Sequence, residues 1–373
     1  MHVTSLAAVD FRSYSFVEIN LNKGITTFIG SNGQGKTNLV EAISYCSTLS
    51  SHRVSQDLPL IKLNQPRSII RTGIKFGERT NWVEIEIWPN KSNKAKLNGS
   101  ECKKVKEVLG ILQTVTFSPE DLKLVKGDPS DKRYFLDDLL VQKSPVFAGI
   151  KSDYDRVLKQ RNALLKSSYS ARKNNLDSVL TTLDIWNEQL INLGSQIILQ
   201  RHQLINELLP YVSKAYAEIA PSSKPLNIAY LPNVASENMV LEDLKVAMDE
   251  KLKEKQNDEL DRGITLVGPH RDDVEITIGE LPAKGYASHG ETWSVALALK
   301  LASFDLLKAN SKAGDPVLIL DDVFAELDSS RRNQLTSRVK SVEQVLITAA
   351  VEEDVPKDLG GVKLFVNNGK VTS

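Results

Sequence analysis

The chain has 373 residues, 41% of them hydrophobic and 25% charged, with 47 basic side chains against 47 acidic ones and only two cysteines, Cys46 and Cys102. That is the composition of an ordinary soluble protein with material for a large core. It excludes partner choice by a global electrostatic field, a disulfide framework and a cysteine metal cage, and no apolar run approaches the ~20 residues of a helical membrane span.

The opening Met1-His2-Val3-Thr4-Ser5-Leu6 lacks the basic stretch and long apolar core of a secretory leader, so a soluble, cytoplasmic protein without a membrane partner is expected. The first third reads as β-rich, with strands predicted at 3–9, 17–21 and 25–29. Directly after the third comes Gly30-Ser31-Asn32-Gly33-Gln34-Gly35-Lys36-Thr37, a match to the Walker A phosphate loop G-x-x-x-x-G-K-[ST]. A helix is predicted to follow, with Leu39, Ile43 and Cys46 on one face. Strand, glycine loop and helix aim backbone N–H groups and a helix N-terminus at a polyphosphate. In that geometry Lys36 reaches the β- and γ-phosphates and the Thr37 hydroxyl holds Mg²⁺, so a nucleoside triphosphate is the expected ligand.

Further strands are predicted at 69–76, 82–88, 95–97 and 115–117, with Asn98-Gly99 as a turn. Ser118 and Pro119 fit the N-cap and first position of a helix. From 131 to 220 the pattern is helical. Within it 177–209 places Val179, Leu180, Leu183, Trp186, Leu190, Leu193, Ile197, Leu204 and Leu208 at helical spacing, as one helix or two, before a break expected at Pro210. This run is too short for a long coiled-coil arm. A β-like piece at 226–231 precedes a charged helix at 241–258. Strands at 264–267 and 274–278, a helix at 291–308, a buried strand at 317–320, a helix at 329–339, a buried strand at 345–348 and an edge strand at 363–366 complete the chain. The simplest organisation is an α/β nucleotide-binding head made from 1–125 and 263–373, with a mostly helical lobe, 126–262, inserted between them.

Two segments near the C-terminus fit the same chemistry. Val317-Leu318-Ile319-Leu320-Asp321-Asp322 is an apolar strand ending in two carboxylates, the form of a Walker B segment. Asp321 at a strand tip can hold the Mg²⁺ shell, and Asp322 can orient or deprotonate an attacking water. Ser288-His289-Gly290-Glu291 opens the 291–308 helix and reads either as an anion cradle or as a helix cap whose Glu291 complements the dipole.

The order Walker A, S-x-G-E, Walker B and then Ala325-Glu326-Leu327-Asp328 resembles the ABC-type ATPases, mixed α/β P-loop heads in which S-x-G-[EQ] of one subunit closes over the nucleotide of another. Within that superfamily six segments resemble the RecF family: Phe11-Arg12-Ser13-Tyr14, 33–39, Phe117-Ser118-Pro119-Glu120-Asp121-Leu122, Leu124-Val125-Lys126-Gly127, Arg133-Tyr134-Phe135-Leu136-Asp137 and Gly268-Pro269-His270-Arg271-Asp272-Asp273. The resemblance implies a weak, slowly hydrolysing ATPase of recombinational DNA repair and replication-fork recovery. Its ATP-bound form would be a homodimer on single-stranded and gapped double-stranded DNA, with RecR and RecO as partners, RecA loading and SOS induction as consequences, and ATP and Mg²⁺ as cofactors.

It also implies roles for particular residues. Residues 30–37 hold the nucleotide; Ser288, Gly290 and Glu291 form the trans signature, with Ser288 counted among the catalytic residues beside Lys36 and the base Asp322; Asp328 acts across the interface. Thr348 takes the place of a transporter switch histidine, and Ser118-Pro119-Glu120 that of a Q-loop. A nucleotide-binding subunit of a membrane transporter fits less well, given the helical insertion, Thr348 and the F-R-x-Y start. For DNA, the densest basic tract is Lys151, Arg156, Lys159, Arg161, Lys166, Arg172 and Lys173, opposed by Asp153 and Asp155 and carrying only Tyr154 and Tyr169 as aromatics. Arg12, His52-Arg53 and His270-Arg271 remain open between ligand contacts and local structure.

Overall fold

The computed structural model describes residues 1–171, 176–311 and 313–372, without the side chains of 168–171 and 176–180. Its strands are β1 (His2–Phe11), β2 (Tyr14–Asn20), β3 (Gly24–Ile29), β4 (Ser68–Phe76), β5 (Arg79–Ile87), β6 (Lys94–Leu97), β7 (Ser100–Glu101), β8 (Thr114–Phe117), β9 (Leu226–Leu231), β10 (Asp273–Ile278), β11 (Leu281–Pro282), β12 (Val317–Asp321), β13 (Gln344–Ala349), β14 (Val362–Asn367) and β15 (Lys370–Thr372). The longer helices are α1 (Lys36–Thr48), α2 (Pro129–Lys143), α3 (Val146–Ala171), α4 (Leu176–Ile219), α5 (Leu241–Arg262), α6 (His289–Asn310) and α7 (Ser329–Val339). They divide into two compact units, Met1–Lys126 with Pro210–Leu226 and Ala283–Ser373, and Gly127–Leu209 with Asn227–Pro282.

The first unit holds two six-stranded sheets. One, in the order β2-β1-β4-β5-β6-β7, is antiparallel throughout, and the Asn98-Gly99 turn closes its last hairpin with both residues at positive φ. The other runs β15-β14-β3-β13-β12-β8, parallel from β14 to β8. The predicted edge strand β14 is therefore interior by one place, because the antiparallel β15 pairs with it and takes the edge.

Helix α1 packs on β1 and β4 of the first sheet and on β8, β12 and β13 of the second. Ten of its thirteen residues are buried, so the single apolar face expected from Leu39, Ile43 and Cys46 is too narrow. A helix covered on two sides buries polar groups as well, and each needs a partner. Glu41 has one on both oxygens: Arg12 donates from Nε and Nη2 at 2.9 and 2.5 Å, and Ser51 from its hydroxyl at 2.5 Å. Burial alone would raise this carboxyl; the Arg12 and Ser51 bonds bring it below its ordinary value.

The second unit combines helices with the small sheet β11-β10-β9. Its residues 263–282 were expected in the nucleotide-binding head. They stay here because β10 pairs in the same sheet as β9, and because Arg201 of α4 donates to the Pro269 carbonyl at 2.7 Å and to Asp272 at 3.0 Å. No strand forms at 264–267. The Thr265 and Leu266 amides are taken by the side chains of Asn162 and Glu259, both at 2.7 Å, which leaves no ladder to join. Nor does Pro210 break its helix. The buried positions Leu204, Leu208, Val212, Ala215 and Ile219 continue on both sides of it, and that burial outweighs one lost hydrogen bond.

Buried ion pairs hold this unit together. Arg201 makes a two-point pair with Asp137 at 2.8 and 2.9 Å while also meeting Asp272, whose oxygens accept from the Tyr230 hydroxyl and the Asn233 amide. His270 is bonded to the Tyr154 hydroxyl at 2.7 Å and to the Thr265 carbonyl at 3.1 Å, and burial lowers its pKa to about 4. Its neutral ring and its neighbours thus form a structural network rather than a metal site. Arg161, expected on a DNA-binding face, is instead 1% exposed and bonded to Glu259 at 2.6 Å and Thr265 at 2.8 Å. Replacing Arg161 by Ala strands the Glu259 charge in the interior; a loss of about 3–5 kcal/mol is expected, read as a lower urea midpoint for the second unit.

Candidate nucleotide-binding site

The parallel sheet of the first unit brings the motif residues together by register. Asp321 of β12 lies beside Thr348 of β13, which lies beside Phe28 of β3, and Leu320 lies beside Phe117 of β8. The four strands therefore end along one edge, and the segments that follow them, Gly30–Thr37, Ala350 onward, Asp322 and Ser118–Asp121, share that edge. The carboxyl ends of parallel strands are where open α/β sheets bind ligands.

The loop from Gly30 to Thr37 is shaped by close backbone approaches. A Cβ on Gly30 would come within 2.2 Å of the Val366 carbonyl oxygen. Gly35 has a φ of 106°, and a Cβ there would lie 2.8 Å from the Tyr14 hydroxyl, which donates to the Gly35 carbonyl at 3.2 Å. Gln34 accepts the Asn368 amide at 2.6 Å. Tyr14 and the 366–368 segment thus brace the loop from two sides, whereas Ser31, Asn32 and Gly33 are exposed. Lys36 is 3% exposed and its ammonium donates to the Ser31 carbonyl at 3.3 Å, so it already bends back over the loop.

Thr37 donates from Oγ1 to Asp321 Oδ1 at 3.0 Å. Thr348 donates to the same oxygen at 2.6 Å and accepts the Asp322 amide at 2.9 Å. Burial pushes the Asp321 carboxyl up to about 6, and the charges of Asp322 and Glu120 push in the same direction against the two hydroxyl bonds. A buried carboxylate with two neutral donors and two further acidic groups nearby is an electrostatic hole for a cation. Its hard oxygen donors fit Mg²⁺, which takes one or two carboxylates plus phosphate oxygens and water rather than an all-protein cage. No group of three or more His, Cys, Asp or Glu that could hold a metal occurs among the described residues. Asp322 itself is half-buried at a φ of 53°, capping the short helix Val323–Glu326. Its carboxylate makes no hydrogen bond among the described residues.

Ser288 is exposed and caps α6. Its hydroxyl accepts the Glu291 amide at 3.2 Å and donates to Glu291 Oε2 at 2.7 Å, while its own amide donates to that oxygen at 2.8 Å. Gly290 lies in the first turn of α6. Asp328 caps α7 through the Arg331 amide and is likewise exposed.

A family model described as the RecF/RecN/SMC N terminal domain matches residues 2–372. The DNA replication and repair protein RecF of Streptomyces avermitilis is 50% identical over 372 residues, spanning 100% of this chain and 99% of its own length. The chain belongs to the RecF family. The RecF of Kineococcus radiotolerans is 49% identical over 97% of this chain and 96% of its own. A recombination mediator protein RecF of the RecFOR pathway, solved as RecF-ATP, superposes with a TM-score of 0.88 at 29% identity, covering 99% of this chain and 96% of that one. An Smc head domain from Pyrococcus furiosus matches at a TM-score of 0.54 and 17% identity over 100% of this chain and 96% of that chain, a likeness of fold alone. The architecture is thus the mixed α/β head of the ABC-type ATPases.

Several expected contacts resolve into local structure. Arg12 is committed to Glu41, and Arg53 donates to both Asn38 and Glu41, at 3.0 and 3.2 Å. Both ring nitrogens of His52 are buried without a hydrogen-bond partner among the described residues. In the second unit Lys151 pairs with Asp155 and Arg156 with Asp153, Lys159 and Lys166 are exposed, and Tyr154 is buried against His270 rather than available for base stacking. Arg172 and Lys173 lie outside the described residues, as does the Tyr169 side chain. Tyr14, Thr348 and Arg331 are the structural contributors that the motifs leave without a role. A tyrosine two residues past F-R was the one available signal for Tyr14.

Because its folded pKa is raised, ionised Asp321 is penalised above about pH 6, and the penalty fades as pH falls toward the unfolded value near 4. Asp321→Asn keeps the oxygen that accepts from Thr37 and Thr348 but removes the charge. The ligand-free variant is expected to gain roughly 2–3 kcal/mol at pH 7.5, seen as a higher Tm, with about half that gain left at pH 5. An unchanged or lower Tm would count against a strained Asp321 carboxylate.

Proposed function

We propose that this protein is an ATP-dependent DNA-binding switch of recombinational repair, in which ATP with Mg²⁺ joins two copies of the chain and hydrolysis releases them. The observation that carries the reading is the convergence of Gly30–Thr37, Asp321 and Asp322 on one edge of a parallel sheet, in a chain that also exposes Ser288 at the tip of α6.

Backbone N–H groups of the loop and Lys36 take the β- and γ-phosphates; Thr37 and Asp321 hold Mg²⁺, which neutralises phosphate charge when bound. Asp322 orients and deprotonates the attacking water. Ser288, the Gly290–Glu291 helix tip and Asp328 of a second copy complete the site. A γ-phosphate bonded across the interface favours the closed dimer by its differential affinity, and its loss weakens closure. Asp322 is one methylene shorter than a glutamate, in keeping with slow turnover.

The relatives are described as DNA replication and repair proteins, and the solved RecF as a recombination mediator of the RecFOR pathway. On that basis single-stranded and gapped double-stranded DNA, RecR, RecO and RecA are the proposed partners, with support of RecA loading, fork recovery and SOS induction as the outcome in the cytoplasm. Arg156, Lys159 and Lys166 are exposed cations of the predicted tract, Arg156 beside Asp153; phosphate contacts by such side chains would be weak and salt-dependent.

Lys36→Ala is expected to raise the Kd for ATP by about 10- to 100-fold, the loss of a charge-assisted contact worth ~1.5–3 kcal/mol. Asp322→Asn is expected to slow hydrolysis by about 10²- to 10⁴-fold and to accumulate an ATP-bound dimer by light scattering. Ser288→Arg should bind ATP yet stay monomeric. If ATP alters neither oligomeric state nor retention on gapped DNA in the unmutated protein, the reading fails.

A further inference from the structure

Resting on the two-copy site just proposed, a more specific role falls to Arg331. This residue lies in the first turn of α7, where its backbone N–H donates to Asp328 Oδ1 at 2.9 Å. Its guanidinium pairs with the Asp328 carboxylate and, from Nε, donates to the Ser294 hydroxyl at 2.6 Å. Ser294 in turn donates to the Gly290 carbonyl at 3.0 Å. One side chain therefore ties the segment around Asp328 to the first turn of α6.

The guanidinium also rests on Gly290. A Cβ built there would lie 3.1 Å from both terminal nitrogens of Arg331 and 3.4 Å from its central carbon. Gly290 does not have a positive φ. Its missing side chain is needed for close approach rather than for backbone freedom, and what approaches is an arginine of the same subunit.

The electrostatic consequence concerns a polyanion. Asp328 is half-exposed, and an unpaired carboxylate beside the α6 tip would repel an incoming triphosphate. Arg331 cancels that charge, and its own lies against the positive end of α6. We propose that Arg331 is a positioning residue of the composite site: it fixes the Ser288–Gly290 tip and the Asp328 segment as one block and makes their shared surface acceptable to the partner subunit's triphosphate.

The test uses the full chain with ATP and Mg²⁺, reading ATP Kd, dimer formation by light scattering and hydrolysis. Arg331→Ala is expected to leave the Kd of the monomer within about twofold, because residues 30–37 are untouched, and to raise the protein concentration for half-dimerisation at least tenfold. Arg331→Lys keeps a charge but cannot span Asp328 and Ser294 together, so it should recover only part of that loss. If Gly290 is glycine in order to seat Arg331, Gly290→Ala should impair dimerisation in the unmutated background and add nothing further to Arg331→Ala.

Should Arg331→Ala lower the Tm, Ser294→Ala removes only the hydroxyl that links the two segments, and a rise of a few-fold in the same concentration is expected. Wild-type dimerisation of Arg331→Ala, or additive losses in the Gly290→Ala pair, would overturn the inference, as would wild-type dimerisation of Ser294→Ala where that variant carries the test. Ser288→Arg run in parallel separates the two levels. If it stays monomeric while Arg331→Ala dimerises normally, only the role of Arg331 falls; if it dimerises normally, the two-copy site falls first.

Discussion

The buried carboxylate of Asp321 is the constraint around which the candidate site is arranged. It sits at the end of a strand with no apolar alternative, one oxygen shared by the hydroxyls of Thr37 and Thr348, and burial lifts its pKa to about 6. Two neutral hydrogen bonds do not compensate a buried negative charge, so the ligand-free protein carries a cost there. That cost is what a bound cation would remove. Thr348 matters twice, since the hydroxyl that donates to Asp321 also accepts the Asp322 amide, which helps to keep that residue in its left-handed conformation. Thr348 in this way organises both acidic residues.

The P-loop depends on a second buried charge. Because α1 is covered by both sheets of its unit, Glu41 cannot reach water, and Arg12, Arg53 and Ser51 converge on it. The F-R-x-Y segment thereby acquires two structural duties, with Arg12 neutralising the helix from one side and Tyr14 resting on Gly35. Removing one member of such a group leaves the others charged and dry, which is why clusters of this kind are costlier to break than exposed pairs. The second unit follows the same logic with Arg201, Asp137 and Asp272 and with Arg161 and Glu259, so much of its interior specificity is polar.

The nucleotide motifs were legible from residues 30–37 and 317–322 because each is a contiguous run whose chemistry is carried by local spacing. Most strands and helices were legible too, as the apolar alternation in β5 and the period of α4 are local properties. The failures have one cause. At 264–267 a β-like run lost its backbone donors to side chains from distant helices; at Pro210 long-range burial overrode a local breaker; Arg161 looked like a surface cation until Glu259, 98 positions away in the chain, arrived beside it.

What the sequence determined by itself is therefore the family, because six short segments carry it, and the order of the nucleotide motifs, because each is a local run that needs no reference to anything remote. What only the tertiary structure decided is which charges are available. Arg12, Arg161 and Arg201 are spent on buried carboxylates, Asp321 is left short of positive charge, and Arg331 is bound to the tips of two helices. Most of those assignments rest on pairings between residues far apart in the chain. Coulomb attraction and desolvation depend on distance through space, which the order of residues does not give.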